Sequence, residues 1–228
     1  MSDYVFAPAI PAVPTRGAGL FPVRRIYCVG RNYAEHAREM GHDPNEAPPF
    51  FFGKPADALL TDGADMPYPS QTADLHHEIE LVAALGSGGR DIAVDQALAH
   101  VWGYAAGIDM TRRDVQGKAK SGGRPWDMAK GFDHSAPIGL LAPVSSLGGH
   151  PTHGRITLTV NGGLRQEGDI DQMIWDLPHV IAELSRWVEL KAGDLIFTGT
   201  PAGVGAVGTG DVLKGEIEGV GAVATRIA

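Results

Sequence analysis

Asp74-Leu75-His76-His77-Glu78-Ile79-Glu80-Leu81-Val82-Ala83-Ala84-Leu85 sets two carboxylates two positions apart at the head of a run of β-forming and apolar residues. On a strand, residues i and i+2 point to one face. Glu78 and Glu80 are therefore expected side by side, with their charges converging. Adjacent carboxylates repel each other and resist burial. A hard cation between them removes both difficulties, and oxygen-only ligands suit Mg2+, Mn2+ or Ca2+ better than zinc. Asp109 ends another short apolar run, Gly103-Tyr104-Ala105-Ala106-Gly107-Ile108, and offers a third oxygen at a strand end.

Outward from this stretch the chain alternates short strands with a few helices. Arg24 to Val29 reads as a strand ended by Gly30, and Tyr33 to Met40 as a helix closed by Gly41. Asp43 to Pro49 is a polar, proline-rich loop, followed by the β-prone Phe50-Phe51-Phe52. Glu78 to Leu85 is a strand, Val94 to His100 a short helix, and Val101 to Ile108 a strand. Thr111 to Lys120 is polar with helical character, and residues 121–139 form a segment punctuated by Gly and Pro. Ile156 to Val160 alternates as a half-buried strand does, and Asn161-Gly162 turns it into a hairpin. Leu177 to Val188 carries apolar residues at helical spacing, with Pro178 early enough to be tolerated. Leu195 to Thr198 is a buried strand, and Glu216 to Ala224 a closing hairpin. The expected architecture is β-rich α+β. Residues 1–20 are expected to be an irregular N-terminal segment, and residues 21–228 a single catalytic domain.

The chain has 228 residues, enough for one sizeable core. Its net charge of -8 and the lack of a long basic run argue against a nucleic-acid partner. No apolar stretch is long enough to span a bilayer, and the N-terminus does not read as a signal peptide. A single cysteine, Cys28, excludes an internal disulfide and fits the cytoplasm. Cys28 could serve as a nucleophile, but Ile26-Tyr27-Cys28-Val29 reads as a buried strand, so it is assigned to the core.

His36 and Glu39 sit three apart on the short helix and share one face. A carboxylate beside an imidazole orients it and raises its basicity, which makes a base able to activate water. The same spacing is common on solvated helix faces, and spacing alone does not raise the pair above that. His76 would lie on the face of Glu78 and Glu80, but the third candidate ligand is again a carboxylate. His76 is therefore expected to make supporting hydrogen bonds. Arg112, Arg113, Asp114, Gln116 and Lys130 follow Asp109, and cations near a metal suit an anionic, carboxylate-bearing substrate. Thr198-Gly199-Thr200-Pro201-Ala202-Gly203-Val204-Gly205 lacks the Gly-Lys-Ser/Thr ending of a P-loop. It reads as a tight loop offering hydroxyls and backbone N–H groups to an anion. No Gly-x-Ser-x-Gly elbow occurs.

Taken together, these segments resemble the fumarylacetoacetate hydrolase family, and within it the acylpyruvase branch. The resemblance runs through Tyr27 to His36, His76 to Leu81, Gly107 to Gln116 and Arg124 to Lys130. It continues through Val160 to Gly162 with Arg165-Gln166, and ends in Thr198 to Gly205. It implies a twisted β-roll with short peripheral helices, a homodimer, and a divalent metal at the mouth of the roll. Carried over by position, Glu78, Glu80 and Asp109 would hold Mg2+ or Mn2+. His36 and Glu39 would activate water on a segment, about Arg31 to Pro49, that orders on a small-molecule 2-oxo acid substrate. Arg113, Gln116 and Thr200 would contact substrate, and Arg31 would help hold that lid segment or the substrate. Lys130 would stabilise developing charge or help place the water. Gly131 and Gly163 depart from the family pattern; the first could alter local pocket shape. The implied activity is hydrolysis of the carbon–carbon bond of an acylpyruvate, fumarylpyruvate foremost. Oxaloacetate decarboxylation, hydroxydienoate isomerisation and a non-catalytic, metal-stabilised binding role are the rival readings.

Overall fold

The computed structural model describes residues 5–17, 19–41 and 48–228. Most of the expected Asp43–Pro49 loop, and the first four residues, lie outside the described residues. The strands are β1 (Ala12–Pro14), β2 (Leu20–Pro22), β3 (Arg25–Gly30), β4 (Phe50–Lys54), β5 (Leu59–Leu60), β6 (Leu75–His77), β7 (Ile79–Leu85), β8 (Val101–Ile108) and β9 (Thr111–Arg112). They continue as β10 (Ala136–Pro137), β11 (Ala142–Pro143), β12 (Arg155–Val160), β13 (Gly163–Asp169), β14 (Asp194–Phe197), β15 (Gly205–Val207), β16 (Val212–Ile217) and β17 (Gly221–Arg226). The helices are short: α1 (Ala34–Glu39), α2 (Arg113–Ser121), α3 (Asp127–Lys130), α4 (Val144–Leu147) and α5 (Leu177–Trp187). None is long and apolar enough to cross a membrane among the described residues. The fold is mixed α+β and rich in strands.

A six-stranded sheet in the order β11-β8-β7-β14-β3-β4 forms the centre, and β7 is buried at every position. Its pleat explains the unbroken apolar run in the sequence. Ile79, Leu81, Ala83 and Leu85 face a core shared with Ile156, Leu158, Leu213 and Val223 of the four-stranded sheet β13-β12-β16-β17. Val82 and Ala84 face a second core with Ile26, Cys28, Leu195 and Phe197. A strand covered on both faces needs apolar residues at consecutive positions. Cys28 is fully buried there, as expected of a core residue. The Asn161-Gly162 turn adopts φ of 52° and 79°, the geometry of a two-residue hairpin. Helix α5 opens on Asp176, whose carboxylate accepts from the His179 N–H at 3.1 Å, and it buries Val180, Ile181 and Leu184.

Three expectations are corrected. The N-terminal segment is not wholly irregular: β1 pairs with β2, Val13 opposite Phe21, and Val13 is fully buried in the second core. Prolines at Pro14 and Pro22 fit a short edge ribbon that needs few backbone donors. The segment 121–139 contains α3, which ends on Lys130. The strand expected from Glu78 to Leu85 breaks at Glu78. Before the break, β6 joins the small sheet β15-β6-β9; after it, β7 enters the large one.

Candidate metal centre and cavity

The break at Glu78 is where the site forms. Its carbonyl accepts the N–H of Asp109 at 2.8 Å, which fixes the end of β8 beside the junction of β6 and β7. Carboxylate oxygens of Glu78, Glu80 and Asp109 lie within 4.8 Å of one another, and all three residues are buried. Backbone pairing between Ile79 and Ile108 and between Glu80 and Gly107 holds that register.

Two lysines and an arginine surround the triad. Lys130 Nζ donates to Glu78 Oε2 at 2.7 Å, to Asp109 Oδ2 at 2.7 Å and to Thr111 Oγ1 at 2.6 Å. All three of its donors are used. Burial works against the ammonium, but Asp109 and Glu78 outweigh it and hold Lys130 above the usual lysine range. Arg113 reaches Glu78 Oε1 at 2.5 Å and Gln116 Oε1 at 2.7 Å. Burial would raise Glu78, yet Lys130 and Arg113 pull it well below the usual carboxylate range. Lys54 Nζ lies 2.8 Å from Asp109 Oδ1 and donates to the carbonyls of Met110 and Lys130.

Two observations fit the triad to a hard divalent cation. Asp109 Oδ1 is buried and makes no hydrogen bond among the described residues beside its ion pair with Lys54 at 2.8 Å. Glu80 makes no salt bridge among the described residues and accepts the Gly199 N–H at 2.8 Å. Burial, with the charges of Asp109 and Glu78, pushes Glu80 well above the usual carboxylate range. A dication facing both groups supplies the charge that Glu80 lacks and takes up the open oxygen of Asp109, and carboxylate oxygens are its preferred ligands.

Glu78, Glu80, Arg113 and Gln116 line one cavity together with Arg31, His36, Lys130 and Thr200. His36 is buried on α1, and its Nδ1 lies 3.0 Å from Glu39 Oε2. The other oxygen of Glu39 accepts the Gly203 N–H at 3.2 Å, tying the pair to the Gly-rich loop. The sequence expectation of a paired His36 and Glu39 thus matches the geometry, with the imidazole inside the cavity rather than on a solvated face. His76 bonds to Asp74 at 2.9 Å and stands outside the triad, because β6 turns into a different sheet.

Several residues at the site were not singled out from the sequence. Lys54 is one. Gln166 is another: its Oε1 accepts from Ile79 N at 3.1 Å and from His77 Nδ1 at 2.8 Å. Its amide donates to Thr200 Oγ1 at 2.8 Å and to the Pro201 carbonyl at 2.9 Å. The arrangement leaves the Thr200 hydroxyl proton free to point elsewhere. Asn32 is the third. It joins Trp175 and Thr198 through three bonds of 2.8 Å, and so anchors the start of α1 to the strand that leads to Gly199. Asn32→Ala is expected to cost about 2–4 kcal/mol, since it strands one buried and two half-buried backbone groups. Urea unfolding of the metal-free protein measures it; a loss below ~0.5 kcal/mol would show that water replaces the amide.

Comparison with known proteins places this geometry in context. Residues 25–228 match the family model described as fumarylacetoacetate (FAA) hydrolase C-terminal. A crystal structure of a fumarylpyruvate hydrolase from Pseudomonas aeruginosa, in complex with Mn2+ and pyruvate, is 54% identical with a TM-score of 0.97, covering 99% of both chains. A mitochondrial oxaloacetate decarboxylase of Dictyostelium discoideum is 42% identical over 86% of this chain and 90% of its own. A fumarylpyruvate hydrolase of a Ralstonia species is 41% identical over 78% of this chain and 92% of its own.

Proposed function

Because the chain belongs to the fumarylacetoacetate hydrolase family, we propose that it is a metal-dependent hydrolase cleaving the carbon–carbon bond of acylpyruvates, with fumarylpyruvate foremost. One observation carries this reading: a buried imidazole, oriented by a carboxylate, shares a cavity with three clustered carboxylates. The similarity to the Pseudomonas aeruginosa structure supports it.

Glu78, Glu80 and Asp109 hold Mg2+ or Mn2+, which when bound supplies Lewis-acid stabilisation of the enolate charge that develops as the bond breaks. His36 keeps its proton on Nδ1, toward Glu39, and so presents Nε2 as the base. It takes a proton from water as the water oxygen adds to the distal carbonyl of the acylpyruvate. The bond between that carbon and the adjacent methylene then breaks, leaving a carboxylic acid and the pyruvate enolate. The proton on His36 returns to the enolate carbon. Arg113 holds Glu78 in place and shares its guanidinium with Gln116. Lys130 neutralises the triad and fixes its oxygens; it reaches substrate only by exchanging one of its three bonds.

A second reading is oxaloacetate chemistry, favoured by the 42% identity with an oxaloacetate decarboxylase. Purified protein with Mn2+, assayed on fumarylpyruvate, acetylpyruvate and oxaloacetate, separates the two. Hydrolysis of the first at a kcat/KM of at least ~10⁴ M⁻¹s⁻¹, the lower reach of ordinary enzymes, is expected. Turnover of oxaloacetate alone would overturn the hydrolase reading.

A further inference from the structure

Phe52, Trp126 and Phe50 form a continuous aromatic wall, with ring centroids 5.8 Å apart for Phe52 and Trp126 and 5.0 Å apart for Trp126 and Phe50. A cation stands over each ring. Lys130 Nζ is 5.0 Å from the Phe52 centroid, at the end that touches the triad. Lys120 Nζ is 5.1 Å from Trp126, and Arg31 Cζ is 5.3 Å from Phe50. The three cations differ in what they bind. Lys130 is saturated by oxygens. Lys120 and Arg31 have no carboxylate partner among the described residues, though both are withdrawn from solvent and line the cavity.

Three further observations mark these two as held for a ligand. Arg31 Nε is buried and has no hydrogen-bond acceptor among the described residues. Arg31 adopts φ 60°, a left-handed conformation that is costly outside glycine and persists where function requires it. Gly30 leaves room for the Phe50 ring of the wall: a Cβ there would stand 2.1 Å from it. Burial, with the positive charges of Arg113 and Arg31, outweighs the pull of Glu78 and brings Lys120 down to about 8. Two half-buried cations on one wall, with no carboxylate partner among the described residues, are unfavourable unless a negative group joins them.

We infer that Arg31 and Lys120 form a second anion subsite, separated from the metal triad by the aromatic wall, which selects acylpyruvates whose acyl group ends in a carboxylate. The inference rests on the acylpyruvate reading for the placement of the 2-oxo acid end at the triad. The wall then accepts the flat, apolar middle of such a substrate. The two cations receive its far carboxylate by charge-assisted hydrogen bonds. An acyl group ending in methyl leaves them unpaired, so discrimination comes from the rejected substrate as much as from the accepted one.

The test separates this from the hydrolytic activity by using probes that lack the cleavable 1,3-dicarbonyl. Calorimetry on the Mn2+-loaded protein compares 2-oxoheptanedioate with 2-oxoheptanoate, which share a chelating end and a chain length. The diacid is expected to bind at least about tenfold more tightly, the factor that one charge-assisted bond supplies. Lys120→Met should reduce diacid affinity about tenfold and leave the monoacid within about twofold. Arg31→Gly should weaken the diacid similarly while raising the Tm of the metal-free protein, because it relieves the left-handed strain. No preference for the diacid in the wild type, or an equal loss for both probes in Lys120→Met, overturns the subsite. A diacid preference without hydrolysis of any acylpyruvate would instead remove the activity and leave the subsite standing.

Discussion

Glu80→Gln is expected to lower metal-dependent turnover by about 10³-fold or more while the metal-free fold survives. The argument turns on what Glu80 does before a metal arrives. Its carboxyl is buried beside Asp109 and Glu78, and the nearby charge of Lys130 and the Gly199 N–H only partly offset them. Burial and those two charges push its pKa well above 4.5. The folded state therefore binds this proton more tightly than the unfolded chain does. Metal-free stability from this group is kept at low pH and is lost as pH rises above 4.5 toward the raised value. A glutamine has the shape of the protonated acid and still offers an acceptor to Gly199. The variant should consequently show a flatter dependence of Tm on pH than the metal-free wild type, with no loss at neutral pH. Addition of Mn2+ should raise the Tm of the wild type and not of the variant. Calorimetric titration showing wild-type Mn2+ affinity in the variant would move the metal away from this triad.

His36→Ala is expected to reduce hydrolysis of an acylpyruvate by about 10²–10⁴-fold, the usual contribution of a positioned base. The effect should divide by reaction type. Hydrolysis requires a nucleophilic water, and a proton must leave that water. Loss of carbon dioxide from oxaloacetate requires only stabilisation of the enolate, so any such activity should fall far less. Oxalate, a mimic of the pyruvate enolate, should bind the variant as it binds the wild type, since the triad is untouched. Glu39→Gln should give an intermediate loss, because the amide still orients Nδ1 but no longer stabilises the imidazolium. Wild-type hydrolysis rates in His36→Ala would remove the pair from the mechanism altogether.

The parts of this site that could be read from the sequence are those set by local spacing. Glu78 and Glu80 declare themselves by standing two apart before an apolar run, and Asp109 by closing another. His36 and Glu39 needed only a helix of one and a half turns. Lys54 was not legible, although it shares a strand face with Phe50 and Phe52 by simple alternation. Its meaning depends on the pairing of β4 with β3 at the sheet edge, which brings that face over Asp109. Lys120 reads from sequence as one more polar position on a helix, and only the packing of α3 against α2 sets Trp126 beneath it. Gln166 lies in a strand that is otherwise largely solvated, so its burial is decided by the Gly-rich loop folding over it. The break at Glu78 is not legible in the sequence because the residues on either side are equally β-prone; which sheet each half joins is settled by partners distant in the chain.

A newly synthesised chain need not wait for its ion. In many small metalloproteins the ligands repel one another until the metal arrives, and folding stalls without it. Here the ammonium of Lys130 bridges Glu78 and Asp109, and Lys54 closes on Asp109 from the other side. These tethered cations act as internal placeholders, so folding can come first and metallation follow as a separate event. The same arrangement makes metal loss reversible: a chelated sample is a folded apoprotein with its ligands still gathered, and activity should return on adding Mn2+ without a refolding step.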